Sequence, residues 1–501
     1  MPFPLFNSIA SWFLKKRIHQ IDLFLKHPIE VQQEVLQDLL GFAQKTAVGV
    51  KYDFSSIHRY ETFAERLPIL AYEDIAIDIN ASRNGVQNLF WPTPIKWYAK
   101  SSGTTNAKSK FIPMSIQALE DCHYKGGKDM LSLYINNNPE AQLFTGKGLR
   151  MGGSQEMYEN AHSSFGDLSA IMTENLPLWA EINTTPSLKV SLMAEWEAKL
   201  AAMVIECSKE NVTSLVGVPS WMLVLLHKIM EASPEKKLND IWPNLEVYFH
   251  GGVSFHPYRN QYDTLFEGQN VKYYETYNAS EGFFAIQDQN DSDELLLMLD
   301  YGIFYEFIPL GESDAAIIPL EMVQLGVHYA LVITTNAGLW RYKIGDVIRF
   351  TSLSPYRIQI MGRTKHFINA FGEELVIENA DRAIAQAAKL CGVEVVDYTA
   401  APVFMQDETK GSHEWMIEFH VPPNNPEEFK IALDTALQQM NSDYEAKRYK
   451  DLTMQLPTIR LARKGLFYDW LETKNKLGGQ HKVPRLSNDR KLLEDLLVMN
   501  A

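Results

Sequence analysis

Residues 98–115 read YAKSSGTTNAKSKFIPMS, and they bring together the chain's densest group of small, hydroxyl-bearing side chains. Ser101, Ser102, Gly103, Thr104 and Thr105 stand where a strand hands over to a helix, with Lys108 and Lys110 close behind. Small side chains let backbone N–H groups approach an anion, and the hydroxyls donate further hydrogen bonds. The chemistry that suits them is the gripping of a phosphorylated ligand. A Ser/Thr-rich surface turn with two solvated lysines is the competing use of the same residues.

Three later stretches carry groups that would complete such a site. YYETYNASEGFFA places Thr276, Tyr277, Ser280 and Glu281 just after a strand, with an acidic residue suited to holding a metal; a solvated turn glutamate is the commoner role. GLWRYKIGDVIRF puts Asp346 behind a glycine, in an expected turn between two β-like runs. Asp there can simply form the turn or accept hydrogen bonds from vicinal ribose hydroxyls. IQIMGRTKHFINAFGEELVIENAD carries Gly362, Arg363 and Lys365 through a change of texture, where a plain basic linker is the alternative. Arg150, in GLRMGG, is a candidate for a substrate carboxylate, though a surface arginine is the commoner case.

Several familiar patterns are excluded. After Gly103 the chain continues Thr104, Thr105, Asn106, Ala107, Lys108, which lacks the second Gly directly followed by Lys and Ser/Thr of a Walker loop. Gly146, Gly148, Gly152 and Gly153 have the wrong spacing for a dinucleotide fingerprint and follow no clear strand. NASEG has Asn278 where a nucleophile elbow needs Gly.

The elements that must position these groups follow from periodicity. Apolar spacing predicts helices over Ile9–Lys45, Ile116–Ile135, Leu188–Ser208 and Trp221–Ala232. It predicts strands at Leu245–Phe249, Val271–Tyr277, Leu295–Asp300, Ile303–Ile308 and Tyr329–Thr334. Their alternation indicates an α/β domain over 1–361, followed by a smaller α+β unit over 362–501. In that unit helices are expected at Glu378–Leu390 and Pro426–Ala446, strands at Val393–Tyr398 and Trp415–His420, and a tail (residues 477–490) too polar for core. No internal repeat or low-complexity segment interrupts this plan.

At 501 residues and 46% hydrophobic, the chain can bury more than one core. A net charge of -15 argues against binding nucleic acid, so an anionic ligand must be met by local cations. Cys122, Cys207 and Cys391 have neither disulfide-framework nor zinc spacing, which fits a reducing cytoplasm. The apolar N-terminus has its Lys15, Lys16, Arg17 cluster after the apolar residues, unlike an export signal, and reads as an amphipathic helix packed on the main domain. No run reaches the roughly 20 apolar residues of a membrane span.

In their order, SSGTT, TYNASEG, YKIGD and GRTKHFINAFGEEL resemble the motifs of adenylate-forming enzymes. More closely they are similar to the auxin-responsive acyl acid amido synthetase family, whose members join a carboxylic acid to an amino acid. The resemblance runs from about Tyr98 to Arg485, with Gly217 to Trp221 and Gly251-Gly252 as weaker landmarks. It implies a large N-terminal α/β domain of adenylate-forming type and a smaller mobile C-terminal domain. It also implies ATP phosphates on Ser101 to Thr105, Thr276 and Tyr277 beside the nucleotide, Asp346 on the ribose, and Gly251 and Gly252 lining an adenine pocket. Glu281 would ligate Mg2+, Arg363 or Lys365 would be the hinge cation, and Lys482 in HKVPR would be the mobile-domain lysine, which competes with a solvated tail. Asn106 and Asn278 depart from the family's frequent glycines.

The implied reaction is ATP-dependent activation of a carboxylic acid as its acyl adenylate, followed by transfer to an amino acid amine. The expected acyl pocket lies between the helix after Met114 and residues 216–222. An acyl-CoA ligase and a nucleotide-binding module without catalysis are the alternatives. Expected partners are small molecules only, with neither nucleic acid nor membrane.

Overall fold

A computed structural model describes residues 4–102, 109–152, 157–176, 178–193, 196–235, 237–253, 255, 258–310, 316–363, 367–405, 410–449, 453–474 and 483–500. Its centre is a twelve-stranded mixed sheet among those residues. One half is parallel and runs Thr184–Thr185, Lys147–Met151, Val212–Gly217, Val247–Gly251, Lys272–Ala279. The other half is antiparallel and continues through Gly282–Ile286, Leu295–Leu297, Tyr356–Arg363, Tyr342–Leu353, His328–Thr335, Ile303–Pro309 and Ile318–Pro319. Every residue of Val247–Gly251 is buried, as a parallel strand covered on both faces requires.

Two cores sandwich this sheet. Tyr134, Phe249 and Tyr274 meet edge to face on one side, with ring centroids 5.3 to 5.9 Å apart. Tyr248, Phe255 and Tyr262 cluster on the other, since neighbouring residues of a strand point to opposite faces. A separate four-stranded sheet pairs Trp97–Ser102 with Ser109–Met114 in antiparallel and with Ser164–Gly166 in parallel.

Two predicted helices are interrupted for a visible reason. The span Ile9–Lys45 divides into Pro4–Lys15, Ile18–Lys26 and Pro28–Ala43. At the first break Arg17 turns inward to Asp129 and Asp300, its Nη2 lying 2.7 Å from the latter. At the second, Pro28 lacks the N–H that would continue the helix. The first of these helices is tied to the main body through Asn7, which donates to the Ala141 carbonyl at 3.2 Å and accepts from the Phe144 N–H at 3.1 Å.

The smaller unit places Glu394–Val403, Ser412–Val421 and Thr458–Ala462 in a three-stranded sheet, packed by Ile377–Cys391 and Pro426–Met440. The predicted helix Pro426–Ala446 is cut at Asn441, whose side chain caps a second helix, Ser442–Arg448, by accepting from the Tyr444 N–H at 2.8 Å. The tail is not wholly outside the core. Val483 and Leu486 are buried, and the Ala400 N–H donates to the Arg485 carbonyl at 2.9 Å.

Candidate active site at the carboxyl edge of the parallel strands

In open sheets with parallel strands, ligands bind beyond the carboxyl ends of those strands, where loops meet. Three glycine or hydroxyl-bearing stretches stop at that edge: Gly217 with Pro219, Gly251 with Gly252, and Thr276 with Tyr277. Gly251 pairs in register with Thr276, and a methyl group on Gly251 would sit 2.5 Å from the Thr276 carbonyl oxygen. Only glycine lets the two strands approach there. Gly252 then turns with φ +82°, a conformation glycine adopts without strain.

Tyr277 joins two motifs that lie far apart in sequence. Its hydroxyl donates to Asp346 Oδ2 at 2.6 Å, and both side chains are buried. Contrary to the expected turn, Asp346 lies inside the strand Tyr342–Leu353, paired in register with Arg363. The register slips just after Val347, opposite Gly362, and such a bulge re-aims a side chain at a sheet's end. Thr276 and Tyr277 likewise belong to the strand Lys272–Ala279 itself, while Ser280 and Glu281 form the turn into Gly282–Ile286. Glu281 is half-buried there.

Gly251, Gly252, Thr276, Tyr277, Asp346 and the Arg363 backbone therefore share one edge of one sheet. Ser101 stands on the four-stranded sheet, opposite Lys110, and Ser102 closes that strand opposite Ser109. Gly103, Thr104, Thr105, Lys365 and Lys482 lie outside the described residues.

His250 precedes the glycine pair and is buried against Phe255, ring centroids 4.0 Å apart. Burial, aided by the positive charge of Arg259, pulls its proton affinity down to about 3, so the imidazole is neutral at physiological pH. The carbonyl of His250 accepts from Thr276 Oγ1 at 3.2 Å, holding the hydroxyl of the second motif against the glycine strand.

Two groups escaped the sequence reading. The smaller unit docks on this edge: Asn369 Nδ2 donates to the Gly252 carbonyl at 3.2 Å, and the Tyr258 hydroxyl donates to the Ala370 carbonyl. Beside that seam, Lys447 of helix Ser442–Arg448 lies over the Trp221 ring, 3.8 Å from its centroid. Lys447 is buried, and desolvation lowers its proton affinity against the pull of Asp443, Asp167, Glu373 and Glu374. Burial, together with Glu374 and Asp167, pushes Asp443 up to about 7. In sequence Lys447 sits in SDYEAKR and reads as a solvated helical cation; only the docking makes it otherwise.

The GEEL turn has an equally specific use. Gly372 turns with φ +86°, and Glu373 accepts from the Ala370 and Phe371 N–H groups at 3.2 and 2.7 Å while meeting His413 Nε2 at 2.8 Å. A fully buried carboxylate is thereby satisfied, and the backbone that reaches Gly252 is held rigid.

The donors fit a magnesium ion in its usual protein setting, one or two carboxylates with the remaining ligands from nucleotide phosphate and water. Glu281 would supply one carboxylate, and among the described residues there is no group of three or more His, Cys, Asp or Glu that would form an all-protein cage.

The chain is similar to known proteins over most of its length. The N-terminal, central and C-terminal domain models of the GH3 family match residues 17–271, 296–363 and 378–491. Indole-3-acetic acid-amido synthetase GH3.4 of Arabidopsis thaliana is 21% identical, the match covering 96% of this chain and 94% of that protein. Jasmonoyl--L-amino acid synthetase JAR6 of Nicotiana attenuata is 23% identical over 94% of this chain and 93% of that protein. Among solved structures, GH3.15 acyl acid amido synthetase superposes with a TM-score of 0.60 at 17% identity, covering 94% of this chain and 93% of that one. A 2-hydroxyisobutyryl-CoA ligase follows at 0.56 and 15%, covering 95% and 92%. With a large α/β domain, a smaller C-terminal domain and all three domain models in sequence order, the chain belongs to the GH3 family.

Proposed function

We propose that this chain is an ATP-dependent acyl acid amido synthetase, which activates a small carboxylic acid as its acyl adenylate and passes the acyl group to the amine of an amino acid. The observation that carries the reading is the 2.6 Å contact from Tyr277 to Asp346 at the strand edge where Gly251 underlies Thr276. The names of the relatives, which are amido synthetases, support the same reaction class.

A carboxylate resists amines because its charge repels them and oxide is a poor leaving group. Attack of its oxygen on the α-phosphorus of ATP expels pyrophosphate, and the amine then displaces AMP. The protein needs no covalent nucleophile, only alignment and neutralisation of the charge that builds on phosphate. Asp346, oriented by Tyr277, accepts from the ribose hydroxyls; Gly251 and Gly252 leave room for the adenine; Ser101 to Thr105 meet the phosphates. Magnesium on Glu281 would neutralise phosphate charge. Lys482, with Arg363 or Lys365 at a junction near Gly362, belongs to the unit that moves between adenylation and transfer. Three unpaired cysteines, Cys122 and Cys207 buried and Cys391 half-buried, suit the reducing cytoplasm, where ATP and amino acids are at hand.

The test is a product screen with ATP, Mg2+, mixed carboxylic acids and mixed amino acids, beside acid-dependent exchange of labelled pyrophosphate into ATP. Exchange in the parent, its loss in Asp346→Ala and an amide product are expected. Exchange supported by no acid would sink the reading, and a thioester formed with CoA in place of the amide would move the chain to the acyl-CoA ligases.

A further inference from the structure

Arg150 is not a surface arginine. It lines a small cleft with Gly152, Thr173, Ser191, Lys199 and Met203, at the end of the parallel sheet where Met151 pairs with Gly217. Two cations share this small space. Lys199 is only 2% exposed, and the Nε of Arg150 is buried with no hydrogen-bond acceptor among the described residues. Thr173 and Ser191, both buried, bring hydroxyls to the same walls.

Acidic neighbours act on both cations. Asp167 faces Lys199, and Glu181 and the Tyr124 phenol face Arg150. Desolvation nevertheless dominates at both: it lowers the proton affinity of Arg150 and brings Lys199 down to about 8. A buried guanidinium with an unused N–H is costly unless an acceptor completes it. A planar carboxylate matches the guanidinium fork and accepts from the ammonium and hydroxyls besides.

We infer that the Arg150–Lys199 cleft is a binding subsite for a substrate carboxylate other than the one that is activated. The inference rests on the amide-synthetase reading for the source of that carboxylate, which is either the acceptor amino acid or a dicarboxylic acyl substrate. The activated carboxylate must give up its charge to the adenylate, whereas a carboxylate held by two buried cations keeps it.

Two arms of one experiment separate the sources. Amide formation is measured with an amino acid against its α-amide, and with a dicarboxylic acid against its monomethyl ester. The parent is expected to prefer the free carboxylate in one arm on the order of 100-fold in kcat/KM, and Arg150→Met and Lys199→Met to collapse that preference in the same arm. No preference in either arm of the parent, or a preference kept by variants with parent-like circular dichroism and melting, overturns the assignment.

Labelling of the parent by phenylglyoxal, read by mass spectrometry at the Arg150 peptide, decides the matter without turnover and without relying on the variants' folding. Succinate should protect Arg150 at least severalfold better than succinamide. Equal labelling in the two, or protection by ATP alone, overturns the carboxylate assignment. Absence of turnover in the parent with protection by succinate intact would sink the amide-synthetase reading and leave the subsite standing.

Discussion

At the scale of single residues, the pair Tyr277 and Asp346 is the most exposing test of the site. Hydrogen bonds to charged groups contribute roughly 1.5–3 kcal/mol. Tyr277→Phe removes one such bond while keeping the buried ring, so the KM for ATP should rise on the order of tenfold with the fold unchanged. Titration of ATP in pyrophosphate exchange, with circular dichroism as control, measures this. An unchanged KM would mean that the pair does not orient Asp346 for the nucleotide.

Gly251 and Gly127 make a second comparison. A methyl group on Gly251 collides with backbone atoms of Thr276, which cannot swing aside, whereas one on Gly127, inside the helix Lys125–Asn137, meets nothing within 4 Å. Gly251→Ala should therefore cost about 1–3 kcal/mol and impair ATP binding. Gly127→Ala should add roughly 0.5–1 kcal/mol of stability through its helix preference. Urea denaturation reads both, and equal midpoints would contradict the geometry.

His250 supplies a pH dependence with a definite sign. Its folded proton affinity is depressed to about 3, against 6.5 in the ordinary state, and burial also depresses His123, to about 4. The unfolded chain therefore binds more protons across that window, and both histidines make stability fall as pH drops below 6.5. In His250→Phe, which preserves a ring against Phe255, the slope of unfolding free energy between pH 5 and 6.5 should become shallower. A slope equal to the parent's would place the imidazole's titration elsewhere.

At the scale of elements, the helix Ser442–Arg448 is held by one buried ionic network. Arg448 Nε donates to Asp434 Oδ1 at 2.7 Å, and the Tyr444 hydroxyl donates to the same oxygen at 2.8 Å. Removing one partner of such a pair leaves a buried charge uncompensated, at a cost of about 3–5 kcal/mol. Asp434→Ala should therefore lower the melting temperature of the smaller unit markedly, and Lys447, carried by the same helix, should lose its seat on Trp221. Scanning calorimetry that shows one unchanged transition would contradict this. Arg341 and Glu306 form a comparable bidentate pair in the large sheet, at 2.9 and 2.7 Å, and fix the residue just before the strand that carries Asp346.

At the scale of the whole molecule, the seam between the two units passes through the sheet edge proposed to hold the nucleotide. Asn369 reaches the carbonyl of Gly252, and Lys447 covers Trp221. A ligand that binds the docked arrangement more tightly than the separated one must favour docking by that difference in affinity. ATP with Mg2+ should therefore slow proteolytic separation of the units in the parent, and do so less in Asn369→Ala or Trp221→Leu. Equal protection in all three would disconnect the seam from nucleotide binding.

The motifs that point to the family were legible because each is local. A glycine pair, a Ser/Thr run and an acid behind a glycine need only their near neighbours, and four such motifs in order pointed to the family. What the sequence by itself determined was this set of short-range devices and the alternation of strands and helices. The strand Lys147–Met151 stayed hidden, since Gly148 and Arg150 break the apolar run and its stability comes from parallel neighbours on both sides.

Tertiary structure decided the rest. Residues 277 and 346 meet because three antiparallel strands, Gly282–Ile286, Leu295–Leu297 and Tyr356–Arg363, join the strands that carry them, and no local preference encodes a contact across that span. Arg17, Asn441 and Lys447 read as solvated or helical until distant partners claim them: two aspartates, a cap with the Glu374 carbonyl, and the Trp221 ring. Burial likewise belongs to the folded state alone. It shifts His250, Asp443 and Lys199 from their ordinary ionisation, because desolvation depends on what packs around a group and not on what precedes it in the chain.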